Sequence, residues 1–315
     1  IERQMKRFPT CILMTTAAAI VVFGCVNDKN ERYDPVVALA FEPVMHVTVR
    51  SSETPVPSPA DPEGLSFGVN AWQLPEGVSW ESSQAAAVPY LTGTRLVSDG
   101  PRWRPESGDN WPSNRYTLTC IGFSPYDAAT RCDSSDGVVF ENIDTTTDPG
   151  DLRYTLPQTD LTKERNGGVV ALPMQHALCE MDFRVKGKAG YESVKIAVKR
   201  ITVNGIATKG NFHSLPEPHW DLGNETGQML FFDGSVEIGD TPRTAGTARR
   251  VIPQTLDGSI TVEYEFESPS GYGIPQIDTA APFKRKLEAG RYYTFTLTIG
   301  PDGIEIVPEK PEPEN

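Results

Sequence analysis

Two runs near the C-terminus fix what this chain can fold into. Ile260, Val262, Tyr264 and Phe266 alternate with Thr261, Glu263, Glu265 and Glu267. Tyr293, Phe295, Leu297 and Ile299 alternate with Thr294, Thr296 and Thr298. A period of two puts every apolar side chain on one face of an extended strand; a helical period would scatter them around the axis. The same signature recurs upstream in Val37/Leu39/Phe41 and Met45/Val47/Val49. It returns at 65–74, 115–123, 138–143, 152–156, 177–185 and 194–203, and a last short strand covers 304–307. Asn204-Gly205 reads as a hairpin turn into 206–212, and 284–289 is the one helical hint. Residues 80–103, with Trp80, Pro89 and Trp103, read as irregular. Roughly fourteen to sixteen short strands with turns every eight to twelve residues predict an all-β chain, two β-sandwich domains in tandem.

Between Met5 and Cys25 the pattern is different. Lys6 and Arg7 precede an apolar run from Cys11 to Phe23, which ends at Gly24-Cys25. That run is too short to cross a hydrocarbon core of ~30 Å as a lasting helix. A short apolar core behind cations and before a small residue reads as an export leader. Cysteine directly after Gly24 resembles a bacterial lipoprotein box, with cleavage before Cys25 and acylation of its thiol. Met5 is read as the start of the product. Loss of residues 1–24 removes Glu2, Arg3, Lys6 and Arg7 and moves the net charge from −13 to −15. Such an acidic chain is a poor match for nucleic acid or for a polybasic grip on lipid.

The organisation expected along the chain is a leader over 1–24, a lipidated tether over 25–35, one β-sandwich domain over 36–167 and a second over 168–307. A Pro- and Glu-rich tail, 308–315, reads as disordered. Pro55, Pro57, Pro59 and Pro62 make the stretch after Arg50 an exposed linker unable to enter a sheet interior. Asn166-Gly167-Gly168 marks the boundary between the domains.

Chemistry-bearing motifs are absent from the sequence. His46, His176, His213 and His219 lack metal-ligand spacing, and no nucleophile elbow, His-Glu-x-x-His helix or phosphate-cradling loop occurs. No cofactor, metal or catalytic residue is expected, and the acidic residues read as solvated surface. His213 and His219 flank Leu215-Pro216-Glu217-Pro218 as a turn. Cys179 alternates with Ala177, Met181 and Phe183 and reads as a packed apolar residue. Cys120 and Cys132 are open to pairing in an oxidising compartment. Trp72, Trp80, Trp103, Trp111 and Trp220 read as packing residues, sugar stacking being the alternative. Asp144-Thr145-Thr146 and Asp278-Thr279-Ala280 resemble a short O-glycosylation acceptor, though ordinary turn residues explain both.

Several stretches together resemble the fimbrillin family, pilus-building lipoproteins of anaerobic Gram-negative bacteria. They are LSFGVNAW (65–72), WRPESGDNWPSNRYTLTCIGFSPY (103–126), VVALPMQHALCEMDFRVK (169–186), ITVNGIATKGNF (201–212), RRVIPQTLDGSITVEY (249–264) and LEAGRYYTFTLTIGPDGIEI (287–306). The resemblance implies two transthyretin-like β-sandwiches, anchoring at the outer membrane through lipid on Cys25, and assembly with other subunits into a surface fimbria for adhesion or biofilm contact. It also implies that an Arg-specific protease removes the first strand, so that an extended segment of the next subunit fills the groove. Arg50 is the candidate cleavage site, equally readable as a solvated strand-end residue. Met45, Val47 and Val49 are the side chains expected to leave, and Ile304 and Ile306 the candidate donor, cut short by Pro308. The alternative is a surface lipoprotein that never polymerises and binds a glycan or host ligand.

Overall fold

The computed structural model describes residues 34–45, 65–190, 194–223, 226–267, 271, 273–300, 302–308 and 312–313. The period-two segments form strands as expected. The first half contributes β1 (Ala40–Met45), β2 (Phe67–Pro75), β3 (Val88–Asp99), β4 (Arg102–Pro105) and β5 (Tyr116–Ser124). It continues with β6 (Arg131–Asp133), β7 (Gly137–Asp144), β8 (Arg153–Tyr154), β9 (Gln158–Leu161) and β10 (Val169–His176). Among the described residues helix is confined to single turns, including α1 (Trp80–Ser83) and α2 (Lys163–Asn166). In α2, Thr162 caps by accepting from the Arg165 amide, and Gly167 ends the turn at φ +59°.

Eight of these strands make one sheet in the order β2-β3-β4-β1-β10-β8-β5-β9, and β2 also pairs with β5. The pairing therefore closes on itself through seven strands, with β9 beside β5. Ring closure removes open edges. Its interior holds Leu39, Phe41, Phe67, Val69, Leu118 and Leu172, all fully buried. Strands β3 and β4 fall in the segment that reads as irregular. Pro89, Gly93 and interspersed exposed Thr and Arg residues interrupt the alternation there, and register shifts against β2 break it further.

The second half supplies β11 (Cys179–Gly187), β12 (Ile196–Ile206), β13 (Lys209–His213), β14 (His219–Leu222), β15 (Gly227–Ile238) and β16 (Arg243–Thr244). After them come β17 (Arg249–Val251), β18 (Thr255–Glu267), β19 (Gly273–Lys286), β20 (Arg291–Gly300), β21 (Gly303–Pro308) and β22 (Glu312–Pro313). One sheet centres on the parallel pair β11–β20, with β16 and β17 along β11 and β21 and β22 along β20. The other runs β15-β12-β18-β19. Phe183, Phe231, Phe283 and Phe295 interlock in the shared core, at ring separations from 4.9 to 5.8 Å.

Three details depart from expectation. Asn204-Gly205 does not make a hairpin: Asn204 bonds Ser259 and Thr261 of β18, and β12 runs through to Ile206. Gly205, at φ +78°, lies where an added Cβ would come within 3.1 Å of the Gly258 Cα, so glycine is required for that close approach. Residues 284–286 are strand, paired with Asp257, Leu256 and Thr255, and not helix. Glu312–Pro313, within the expected disordered tail, pairs with Arg291 and Tyr292.

A fourth sheet, β14-β13-β7-β6, mixes strands from both halves of the chain. Phe212 of β13 packs against Phe140, Tyr154 and Trp220 at 4.8–5.8 Å, and the Trp220 indole donates to the Ala177 carbonyl. This seam makes a core of its own, with Val138, Leu152, Leu178 and Ile252 also fully buried. β10 lies beyond position 167 yet belongs to the first sheet, with Val170, Leu172 and Met174 in the ring's core.

Candidate functional site

The site begins with the side chains of β1 and of Leu39 directly before it. Leu39 and Phe41 have no exposed surface, whereas Glu42 is exposed and Met45 half-buried. Burying two such side chains is worth about 3–6 kcal/mol. All six residues of β1 pair in parallel with Val169–Met174 of β10, while Phe41 alone pairs with Trp103 of β4. Pro43, which has no N–H to give, sits where pairing to β4 has ended. β1 is thus an interior stave of the ring, flanked by neighbours that it alone joins.

The chain just ahead of β1 is clamped separately. The Leu39 amide donates to the Asp109 carbonyl at 3.1 Å and the Trp111 amide to the Val37 carbonyl at 2.8 Å, with Ala38 bridging Asn110. The buried Trp111 indole donates to the Gly168 carbonyl at 3.0 Å, which in turn accepts from the Ala40 amide. Residues 107–111 therefore line one side of the slot and β10 the other.

At its far end β1 meets charge. The Arg153 guanidinium donates to the Met45 sulfur and forms a two-nitrogen pair with Asp151 at 2.5 and 2.6 Å. His176 Nδ1 lies 2.9 Å from the other Asp151 oxygen. Burial by itself would raise the Asp151 pKa. The hydrogen bond and charge of His176, with Arg153, overcome it and hold the carboxyl at about 2. Nearby, Arg250 reaches Asp148 at 3.2 Å and Glu180 at 3.3 Å, tying β17 of the second half to the loop before β8.

Of the residues expected to leave with the first strand, Met45 is in β1. Val47, Val49, the cleavage candidate Arg50 and the acylation candidate Cys25 lie outside the described residues. Leu39 and Phe41 are the deepest anchors. Their alternation was legible, but the neighbours that bury them were not. Ile304 and Ile306 lie in β21, half-buried against the second-half core, and pair with Ile299 and Leu297 of β20.

The remaining candidates resolve into packing. Cys120, Cys132 and Cys179 are not joined in disulfides; Cys120 and Cys179 are buried, and burial pushes the Cys120 and Cys132 pKa values up. Trp72, Trp80, Trp103 and Trp111 are all buried. His213 and His219 stack 5.2 Å apart across the β13–β14 hairpin, with Asp221 between 3.5 and 3.9 Å from them. Among the described residues no group of three His, Cys, Asp or Glu is arranged to hold a metal. Of the two acceptor-like triplets, Thr145 is 1% exposed and bonds the Thr208 carbonyl, whereas Thr146 and Thr279 are exposed.

Residues 63–310 match the family model described as fimbrillin-like. A search of curated proteins gives no significant match. Among solved structures, a fimbrial protein of Bacteroides vulgatus aligns with a TM-score of 0.68 at 16% identity, over 89% of this chain and 100% of that one. A candidate cell adhesion protein of Bacteroides ovatus gives 0.58 at 15% identity, and one of Bacteroides uniformis 0.54 at 14%. Both cover 89% of this chain and 99% of their own.

Proposed function

The chain belongs to the fimbrillin-like family, and on that premise we propose that it is a structural subunit of a surface fimbria, exported as a lipoprotein acylated at Cys25 and built into the fibre by strand replacement. Cleavage at Arg50 frees β1, β1 leaves the ring, and an extended segment of the next subunit enters between β4 and β10. The single observation that carries this reading is the placing of β1. It closes a ring that the rest of the first half nearly completes, and its loss leaves two strand edges and an apolar slot unpartnered. Main-chain hydrogen bonds to β10 supply affinity for the newcomer, and the pockets of Leu39 and Phe41 supply register.

The C-terminal strand fits that slot by pattern. Leu39-Ala40-Phe41-Glu42-Pro43 and Ile304-Glu305-Ile306-Val307-Pro308 share two alternate apolar residues followed two places later by proline. Ile306 in the Phe41 pocket leaves space unfilled, which makes this donor weaker than β1 itself. Deletion of 300–315 in the native host tests the donor assignment: loss of polymer is expected, and unchanged polymer length overturns it. Arg50→Ala tests cleavage, with accumulation of unshortened monomer expected. An Arg50→Ala chain that is still shortened and still forms ladders on a non-boiled gel contradicts it. The similarity in fold to fimbrial and cell adhesion proteins of Bacteroides accords with a place at the cell surface.

A further inference from the structure

A second concave feature lies in the first half, where β2 and β3 meet the turn between β5 and β6. Between the pairs Val69–Thr94 and Ala71–Leu91, β3 carries one residue more than β2, a bulge that contains Gly93. Gly93 stands at φ +52° with no atom within 4 Å of where a Cβ would be. Its backbone is fixed from both sides: the amide donates to Asn70 Oδ1 at 2.6 Å, and its carbonyl accepts from the Tyr126 hydroxyl at 3.0 Å. Asn70 is only 4% exposed, and its amide nitrogen donates to the Cys132 carbonyl at 2.6 Å. A buried amide with both ends committed to backbone in two other strands holds the bulge rigid.

The bulge forms one wall of an open cleft of about 460 Å³, closed on the other side by Asp127, Ala129 and Thr130. That is within the roughly 300–1,000 Å³ of small-molecule sites. The carboxylate of Asp127 and the hydroxyl of Thr92 are exposed and make no hydrogen bond or ion pair among the described residues. Thr130 accepts from the Glu141 amide and keeps its own proton to give. Arg131, the cation lining the cleft, is already taken by Asp133, Asp136 and Glu141. Arg95 lies 5.4 Å over the Tyr126 ring, and Phe123 stacks on that ring at 6.3 Å, so no aromatic face is open for ring stacking.

We propose that this cleft binds a neutral, hydroxyl-rich ligand, one or two rings of a glycan, held by hydrogen bonds and not by stacking. An anionic ligand meets Asp127 with no uncommitted cation lining the cleft, and a metal lacks a ligand set. Vicinal hydroxyls suit a carboxylate that accepts from two donors and two threonines that give and accept. The site does not depend on strand replacement and stands whether or not the chain polymerises.

The test uses the full chain against an immobilised glycan array and, in solution, saturation-transfer NMR with free hexoses, deoxyhexoses and N-acetylhexosamines. Neutral glycans are expected to bind, and Asp127→Asn and Thr92→Val each to weaken binding by about tenfold or more with an unchanged melting temperature. No binding, binding confined to sialylated or sulfated glycans, or binding indifferent to both substitutions overturns the proposal.

Discussion

The ring of the first half and the sandwich of the second solve edge closure in opposite ways. In the sandwich, β21 follows β20 after a tight turn through Asp302-Gly303 and lies along the outside of its sheet, with Val307 exposed and Ile304 only half-buried. In the ring, β1 is an interior strand, yet it is separated from β2 by a connection containing four prolines. One strand is near in sequence and loosely seated; the other is distant and deeply seated. A distant strand can be cut away without breaking the rest of its sheet, and an edge strand can peel without opening a core. In the proposed assembly, the first would supply the slot and the second the donor.

Phe41→Ala strikes the ring hardest. Loss of a fully buried aromatic is expected to cost about 3–5 kcal/mol, and thermal unfolding should show it. Phe295→Ala should cost as much in the sandwich, but only the Phe41 change should speed proteolysis of the N-terminal segment. Equal N-terminal sensitivity in both variants would break the contrast between the two regions.

Asp151→Asn comes next, at about 3 kcal/mol, because it leaves Arg153 and His176 without their carboxylate. The same group sets an acid limit. Its folded pKa, about 2, lies below the ordinary 3.8, so the ionised form stabilises the fold. That contribution is whole above about pH 4 and drains as the pH falls toward 2. Acid titration of wild type should lose this increment; Asp151→Asn should show a flatter stability profile over the same window.

Ile304→Ala should cost only about 1 kcal/mol, since the side chain is half-exposed at an edge. A loss as large as that for Phe41 would mean that β21 is no more releasable than β1. Lys284→Ala, which breaks an exposed pair with Asp257, should leave the melting temperature within error.

Fold class was legible because alternation survives wherever one strand face is buried. β18 and β20 carry it plainly, with Ile260, Val262, Tyr293 and Phe295 all inside. Thr294 and Thr296, on the polar side of that alternation, are nonetheless only 8% and 6% exposed. β20 lies between two strands, and its second face is also covered, something a single-strand pattern cannot reveal. Asp182 reads as solvated for the same reason; it is 7% exposed and takes a hydrogen bond from Tyr292. β3 and β4 were hidden by the Gly93 bulge and their exposed Thr and Arg residues. The seam was hidden because β7 and β13 are about seventy residues apart, and pairing across that distance leaves no local mark. At the slot, Leu39 and Phe41 were readable as strand residues. Their rank as anchors depends on Trp103, Trp111 and β10, which only the folded chain brings together.

The most direct test ties β1 in place. Glu42 and Ala171 are exposed partners in the β1–β10 register, so Glu42→Cys with Ala171→Cys should form a disulfide without disturbing the core. After treatment with an Arg-specific protease, wild type should give ladders on a non-boiled gel. The oxidised double variant should stay monomeric and form ladders only once reduced. Ladders from the oxidised variant, or none from wild type, would contradict assembly through the β1 slot.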